Sequence, residues 1–137
     1  MTSDSSSSQL PLIQRPRRLR RTATLRRMVQ ETHLSAADLI YPLFVMEGEN
    51  EQVEIPSMPG CYRYTLDLLL QEIADAAEVG VPAIALFPVI PYEKKDDLGS
   101  ESYNPNGLVQ WTVKSIKQAI PNIIVITDVA LDPFTSH

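Results

Sequence analysis

Three short apolar runs set the rhythm of this chain: Leu39-Ile-Tyr-Pro-Leu-Phe-Val-Met46, Ala83-Ile-Ala-Leu-Phe87 and Ile123-Ile-Val-Ile-Thr127. Runs this short, rich in branched and aromatic residues, suit strands buried on both faces. Pro42 sits inside the first run. It lacks a donor, so either its nitrogen faces away from a ladder partner or the strand begins after it. Between the runs the period changes from two to about 3.6. Leu66, Leu69, Leu70, Ile73, Ala76 and Ala77 recur at helical spacing and predict a helix over Thr65–Val79. Thr65 is placed to cap it, Asp67 suits its positive end, Gly80 closes it and Pro82 prevents its continuation. Val109, Val113, Ile116 and Ile120 predict a second helix over Leu108–Ile120, stopped by Pro121. Residues 48–64, with Pro56, Pro59 and Gly60, read as a loop. Residues 88–106 read as a long polar loop holding Glu93-Lys-Lys-Asp-Asp97 and Asn104-Pro-Asn-Gly107. A loop of that length in a compact domain is usually functional or mobile.

The order strand, helix, strand, helix, strand predicts an α/β fold with a parallel sheet and helical crossovers. Doubly wound and barrel-like versions share this pattern. A dinucleotide-binding sheet should carry G-x-G-x-x-G after its first strand, where this chain reads Glu47-Gly48-Glu49-Asn50. No phosphate-binding G-x-x-x-x-G-K-[ST] loop occurs either. A closed barrel needs eight strands and about 250 residues. The three strands of this 137-residue chain cannot close one alone.

Charge changes the picture at the N-terminus. Seven arginines against one aspartate give residues 1–27 a charge of +6, and with a total of −5 the remaining 110 residues carry −11. We expect a disordered Ser-rich tail over 1–14, a basic arm over 15–35 with Thr24 capping a short helix through Val29, and the α/β body over 36–137. Such an arm should meet something negative: nucleic acid, a membrane surface, or the acidic body of a second copy. Nucleic acid is disfavoured, because the arm has no interleaved aromatics and no recognisable binding motif. No apolar run is long enough to span a membrane. The first residues lack a secretory signal, which points to the cytoplasm. The arginine- and serine-rich start also fits import into an organelle such as a plastid.

Candidate chemistry is sparse. The lone Cys61 can form neither an internal disulfide nor a cysteine-rich zinc site, and its possible base partners, His33 and His137, are distant in sequence. In parallel α/β folds active sites gather at the carboxyl ends of strands. Asp128 holds that position on the third strand, with Asp132 four residues on. This pair could bind a hard cation such as magnesium, or transfer protons and stabilise a cationic intermediate. Equally, Asp128 could cap a turn while Asp132 is solvated.

Five segments, taken in order, resemble the porphobilinogen synthase (5-aminolevulinate dehydratase) family over nearly all of residues 15–137. They are Arg17-Arg-Leu-Arg20, Tyr41-Pro-Leu-Phe-Val-Met-Glu-Gly48, Ile55-Pro-Ser-Met-Pro-Gly60, Leu86-Phe-Pro-Val-Ile-Pro91 and Asp128-Val-Ala-Leu-Asp-Pro-Phe-Thr-Ser-His137. The resemblance implies a partial (β/α)8 barrel with an N-terminal arm, cut short within its active-site motif. It implies a lyase that condenses two 5-aminolevulinate molecules into porphobilinogen for tetrapyrrole, heme and chlorophyll synthesis. The family's two Schiff-base lysines lie on later strands. Lys94, Lys95, Lys114 and Lys117 are not at strand ends, so the chain alone is expected to be inactive. Asp128 matches an active-site aspartate beside those lysines. Ala130 and Asp132 stand where zinc-dependent members have cysteines, which argues against a cysteine-type zinc site and for magnesium, with Asp132 as a candidate ligand. The arm implies a homo-oligomer, an octamer in the family's usual form. The alternative is a complete, non-catalytic small α/β domain whose basic arm binds an acidic protein.

Overall fold

The computed structural model describes residues 17–136, so the expected tail over 1–14 and His137 lie outside the described residues. Two compact units are present, one ending at Leu34 and one formed by Ser35–His137. In the first, a 3-10 turn at Arg18–Arg20 precedes helix α1, Ala23–Met28. The cap is Thr22, not the expected Thr24: its extended backbone lets the hydroxyl accept the Leu25 N–H at 3.1 Å.

The second unit contains strands β1 (Ile40–Met46), β2 (Gln52–Glu54) and β3 (Tyr62–Tyr64), then helix α2 (Leu66–Glu78). Strand β4 (Ala83–Val89), helix α3 (Leu108–Ala119) and strand β5 (Ile124–Thr127) follow. The three strands expected from apolar runs are β1, β4 and β5, and they pair in parallel. The stretch 48–64 is not all loop, because β2 and β3 complete a five-stranded mixed sheet of order β2-β3-β1-β4-β5. Each has only three residues and no apolar run, and β2 is exposed throughout. What holds them is pairing, β2 antiparallel to β3 and β3 parallel to β1 at Phe44–Arg63 and Val45–Tyr64. Pro42 lies within β1 after all. Strand β3 pairs only from Phe44 onward, so the missing donor breaks no bond on that side.

From β1 to β4 to β5 the sheet is built stepwise in one direction. Successive right-handed crossovers then lay both helices on the same face, as in a barrel, whereas a doubly wound sheet reverses direction and uses both. Accordingly α2 and α3 share one core. Leu43, Val45, Ile84 and Leu86 from the sheet pack with Leu69 and Ile73 of α2 and Ile116 of α3, all at most 2% exposed. Burying each such side chain contributes about 1.5–3 kcal/mol. The expectation of strands buried on both faces holds for β4, none of whose residues is exposed, and fails for β1 and β5. Leu43–Leu86 and Ile84–Val125 lie in the row facing the helices, while Ala83–Ile124 and Ala85–Ile126 lie in the opposite row. Ile40, Ile124 and Ile126 in that row are 41–58% exposed.

Helix α2 ends as its glycine predicts. Gly80 adopts φ +93°, its N–H donates to Ala77 O, and the Val81 N–H reaches back to Ala76 O. At the other end Thr65 occupies the cap position without capping. Its hydroxyl is engaged with Glu51, accepting that residue's N–H at 3.1 Å and donating to its carbonyl at 3.2 Å. Asp67 accepts the Asn50 N–H at 2.9 Å, so the helix start is tied to the loop after β1. Tyr41 ties α2 to β1 by donating its phenol proton to Glu72 at 2.6 Å. Burial, then the Glu72 carboxylate, hold that phenol above its ordinary range.

Two outcomes follow from this packing. Tyr41→Phe should cost about 1 kcal/mol in urea unfolding. Because the phenol's affinity for its proton is raised by folding, stability should fall as pH rises past the ordinary value of 10.0, and the Phe variant should show less of that decline. The exposed apolar row beside the open edge of β5 should drive self-association of the 137-residue chain, visible by light scattering. A double variant, Ile124→Lys with Ile126→Lys, should reduce it.

Candidate active site

The carboxyl ends of β1, β4 and β5 each lead into a polar segment, and these segments are joined to one another. After β1, the Glu47 carboxylate pairs with Lys94, which lies 47 positions later in the loop following β4. That pairing holds the Lys94 ammonium above its ordinary pKa, the reverse of what a Schiff-base nucleophile needs. Lys117 is equally occupied, donating to the Ile123 carbonyl at 2.8 Å. Lys94 and Lys117 are thus held by partners where the sequence reading had them solvated.

The loop after β4 is far more ordered than its composition implies. It folds into 3-10 turns at Tyr92–Lys94 and Ser100–Tyr103. Asp96 organises it: one carboxylate oxygen accepts the N–H groups of Leu98 (3.0 Å) and Ser100 (2.9 Å). Bonding to Ser100, above all to its backbone, holds the Asp96 pKa below the ordinary 3.8. Gly99 takes φ +62°, a left-handed conformation that disfavours side chains.

After β5, Asp128 stands at the strand's carboxyl end and accepts the Ala130 N–H at 3.0 Å. The turn-capping role weighed from sequence is therefore present. It leaves the carboxylate exposed, with one oxygen outside this bond. Val129 beside it is 95% exposed. Asp132 opens the turn Asp132–Phe134 and is exposed. Phe134 is buried and anchors the segment. Among the described residues no three His, Cys, Asp or Glu side chains converge as a metal ion would require. Asp132 could supply one oxygen donor, but the described residues do not form a magnesium cage. Cys61 is a free, half-buried thiol.

Two concavities flank these ends. An open cleft of about 1260 Å³ lies between the starts of α2 and α3, lined by Glu47, Asp67, Lys94, Glu101, Tyr103 and Trp111. Asp128 is not among its walls. A notch of about 280 Å³ is bounded by Phe44, Arg63, Val89, Lys95 and Pro133. Phe44 and Phe87 pack side by side on the sheet, with ring centroids 5.6 Å apart.

Three parallel strands wound in one direction, with both helices on one face, define the class: part of an α/β barrel. The profile of the family described as delta-aminolevulinic acid dehydratase matches residues 13–137, and the chain belongs to that family. It is 49% identical over 130 residues to the delta-aminolevulinic acid dehydratase of Chlamydia pneumoniae, covering 95% of this chain and 39% of that protein. It is 48% identical over 128 residues to the chloroplastic enzyme of Glycine max, covering 93% and 31%. The crystal structure of the Toxoplasma gondii delta-aminolevulinic acid dehydratase (porphobilinogen synthase), solved with its product porphobilinogen, superposes with a TM-score of 0.84 at 43% identity. That match covers 93% of this chain and 36% of the other. The chain thus spans about a third of the length of these relatives, and its sheet is part of a barrel. The reading as a small non-catalytic domain is not favoured.

Sequence reasoning missed Glu47, Lys94, Asp96 and Asp97 as organising residues. Two of their links join separate loops, Glu47 to Lys94 across 47 positions and Asp97 to Ser136 across 39, and leave no local pattern. The one available signal was the pairing of Asp96 with Gly99, an acid and a glycine spaced as tight turns require. Asp96→Ala should loosen residues 96–100 at neutral pH, seen as faster amide exchange. In the unsubstituted chain the loop should stay ordered down past pH 3.8 and loosen only as Asp96 protonates below it.

Proposed function

We propose that the whole protein carrying this chain is a porphobilinogen synthase, a lyase that condenses two molecules of 5-aminolevulinate into porphobilinogen with loss of water. The observation that carries this reading is the family match across residues 13–137, ending in a segment that sets Asp128 at the carboxyl end of β5. Neighbours in the family act on this substrate by name, and the Toxoplasma gondii protein holds the product. In this reading Asp128 is a catalytic residue. Its carboxylate, fixed by the Ala130 N–H, faces an amine or imine of the substrate and stabilises its protonated form. Schiff-base lysines would come from the remaining two thirds of the barrel. An assembled barrel would also cover the exposed row of Ile40, Ile124 and Ile126.

The motif's Ala130 and Asp132 favour magnesium over cysteine-held zinc for the whole enzyme. Asp132 would be one oxygen donor among others from outside these residues. The +6 segment at residues 1–27 and the −11 remainder suit assembly of like chains, an octamer in the expected form. Bacterial and chloroplastic relatives make cytoplasm or plastid the natural compartments. No described helix is long and apolar enough to cross a membrane.

The test is a chimera in which this chain replaces the matching segment of the Chlamydia pneumoniae dehydratase. Porphobilinogen should form from 5-aminolevulinate. Asp128→Asn preserves the turn acceptor but removes the charge, and should lower kcat by roughly 100-fold or more. A folded, assembled chimera without product, or an Asp128→Asn variant as fast as its parent, would overturn the reading.

A further inference from the structure

The segment after β4 and the segment after β5 are stitched together at three places. The Asp96 N–H donates to the Phe134 carbonyl at 3.3 Å as part of a parallel bridge between Asp96 and Thr135. Ser136 donates its hydroxyl proton to Asp97 at 2.8 Å across 39 positions. Gly99 lies so close to the second segment that an added Cβ would touch Thr135, Phe134 and Leu131 at 3.5–3.7 Å. The first segment is itself fixed at both flanks, by Lys94 on Glu47 and by the Asp96 carboxylate on the Leu98 and Ser100 amides. Apart from these links, the segment of described residues from Asp128 to Ser136 is held by local turns and the buried Phe134. Its shape therefore depends on what it leans against.

We propose that Asp97 is a positioning residue for the active site, with Glu47 and Lys94 as its foundation. The ends of β1, β4 and β5 form a brace, Glu47 to Lys94, then Asp97 to Ser136, that sets the height and tilt of the Asp128-bearing loop over the barrel mouth. Asp97 touches no reacting atom in this scheme. It acts through Ser136, whose hydroxyl it orients with a charge-assisted bond. The inference rests on the reading of Asp128 as catalytic, because only then does the loop's placement matter for turnover. A displacement of about 1 Å at such a group is enough to cost one to two orders of magnitude in rate.

Two measurements separate the brace from the function. In the 137-residue chain at high dilution, hydrogen exchange of residues 131–136 should quicken roughly fivefold in Asp97→Ala. Asp97→Asn, whose amide oxygen can still accept the Ser136 proton, should restore most of the protection. Exchange in α2 and α3 should be unchanged in both, which shows that the variants fold. Equal exchange of 131–136 in all three proteins would overturn the brace whatever the chimera does. In the chimera with the Chlamydia pneumoniae remainder, Asp97→Ala should lower kcat about tenfold with KM nearly unchanged, rescued by Asn. Loss confined to KM, or no rescue by Asn, would overturn the positioning role. A chimera that makes no product with its native Asp97 would count against the enzyme reading alone.

Discussion

The parallel register of β1, β4 and β5 is the constraint on which the rest of this structure depends. It places Leu43 beside Leu86 and Ile84 beside Val125, so that one continuous apolar row lies under α2 and α3. A slip of one residue in any strand would turn these side chains to the other face. The same register brings Met46 level with Val89, so the loops leaving β1 and β4 start at a common height. Glu47 can then reach Lys94 without distorting either strand. Packing on one face thus determines electrostatics at one end, and the loop bearing Asp128 inherits its support from both.

Much of this was legible in the chain. Apolar runs separated by amphipathic helices were sufficient for β1, β4, β5, α2 and α3, because strand burial and helix periodicity are local in sequence. The glycine at position 80 marked the end of α2 through a backbone shape that few other residues accept. Strands β2 and β3 escaped because they are made by pairing and not by composition: Gln52, Val53 and Glu54 are all exposed. Thr65 was placed correctly but given the wrong duty, since its hydroxyl had a better partner in the Glu51 backbone than in its own helix.

For the candidate site, the place of Asp128 in the chain was readable and the contacts around it were not. That a carboxylate stands at the end of the third apolar run was readable from the strand pattern, and the structure sets Asp128 there. The contacts that shape its loop come from Asp96, Asp97 and Gly99, inside the long polar loop that the sequence marked as functional or mobile without showing which of its residues organise it. Long-range hydrogen bonds between polar loops leave no periodic trace. Only the chemistry of single residues, such as an acid two or four positions before an amide it can cap, hints at them.

The uncovered row of Ile40, Ile124 and Ile126 carries a consequence for biogenesis. A barrel about three times this length is made at a pace of roughly 5–20 residues per second, and an apolar row like this one stays wet until the strands that cover it have been made. For that interval of some ten to forty seconds the nascent sheet presents a greasy face and a free edge to a crowded cell. Its folding is therefore a matter of timing as well as of stability.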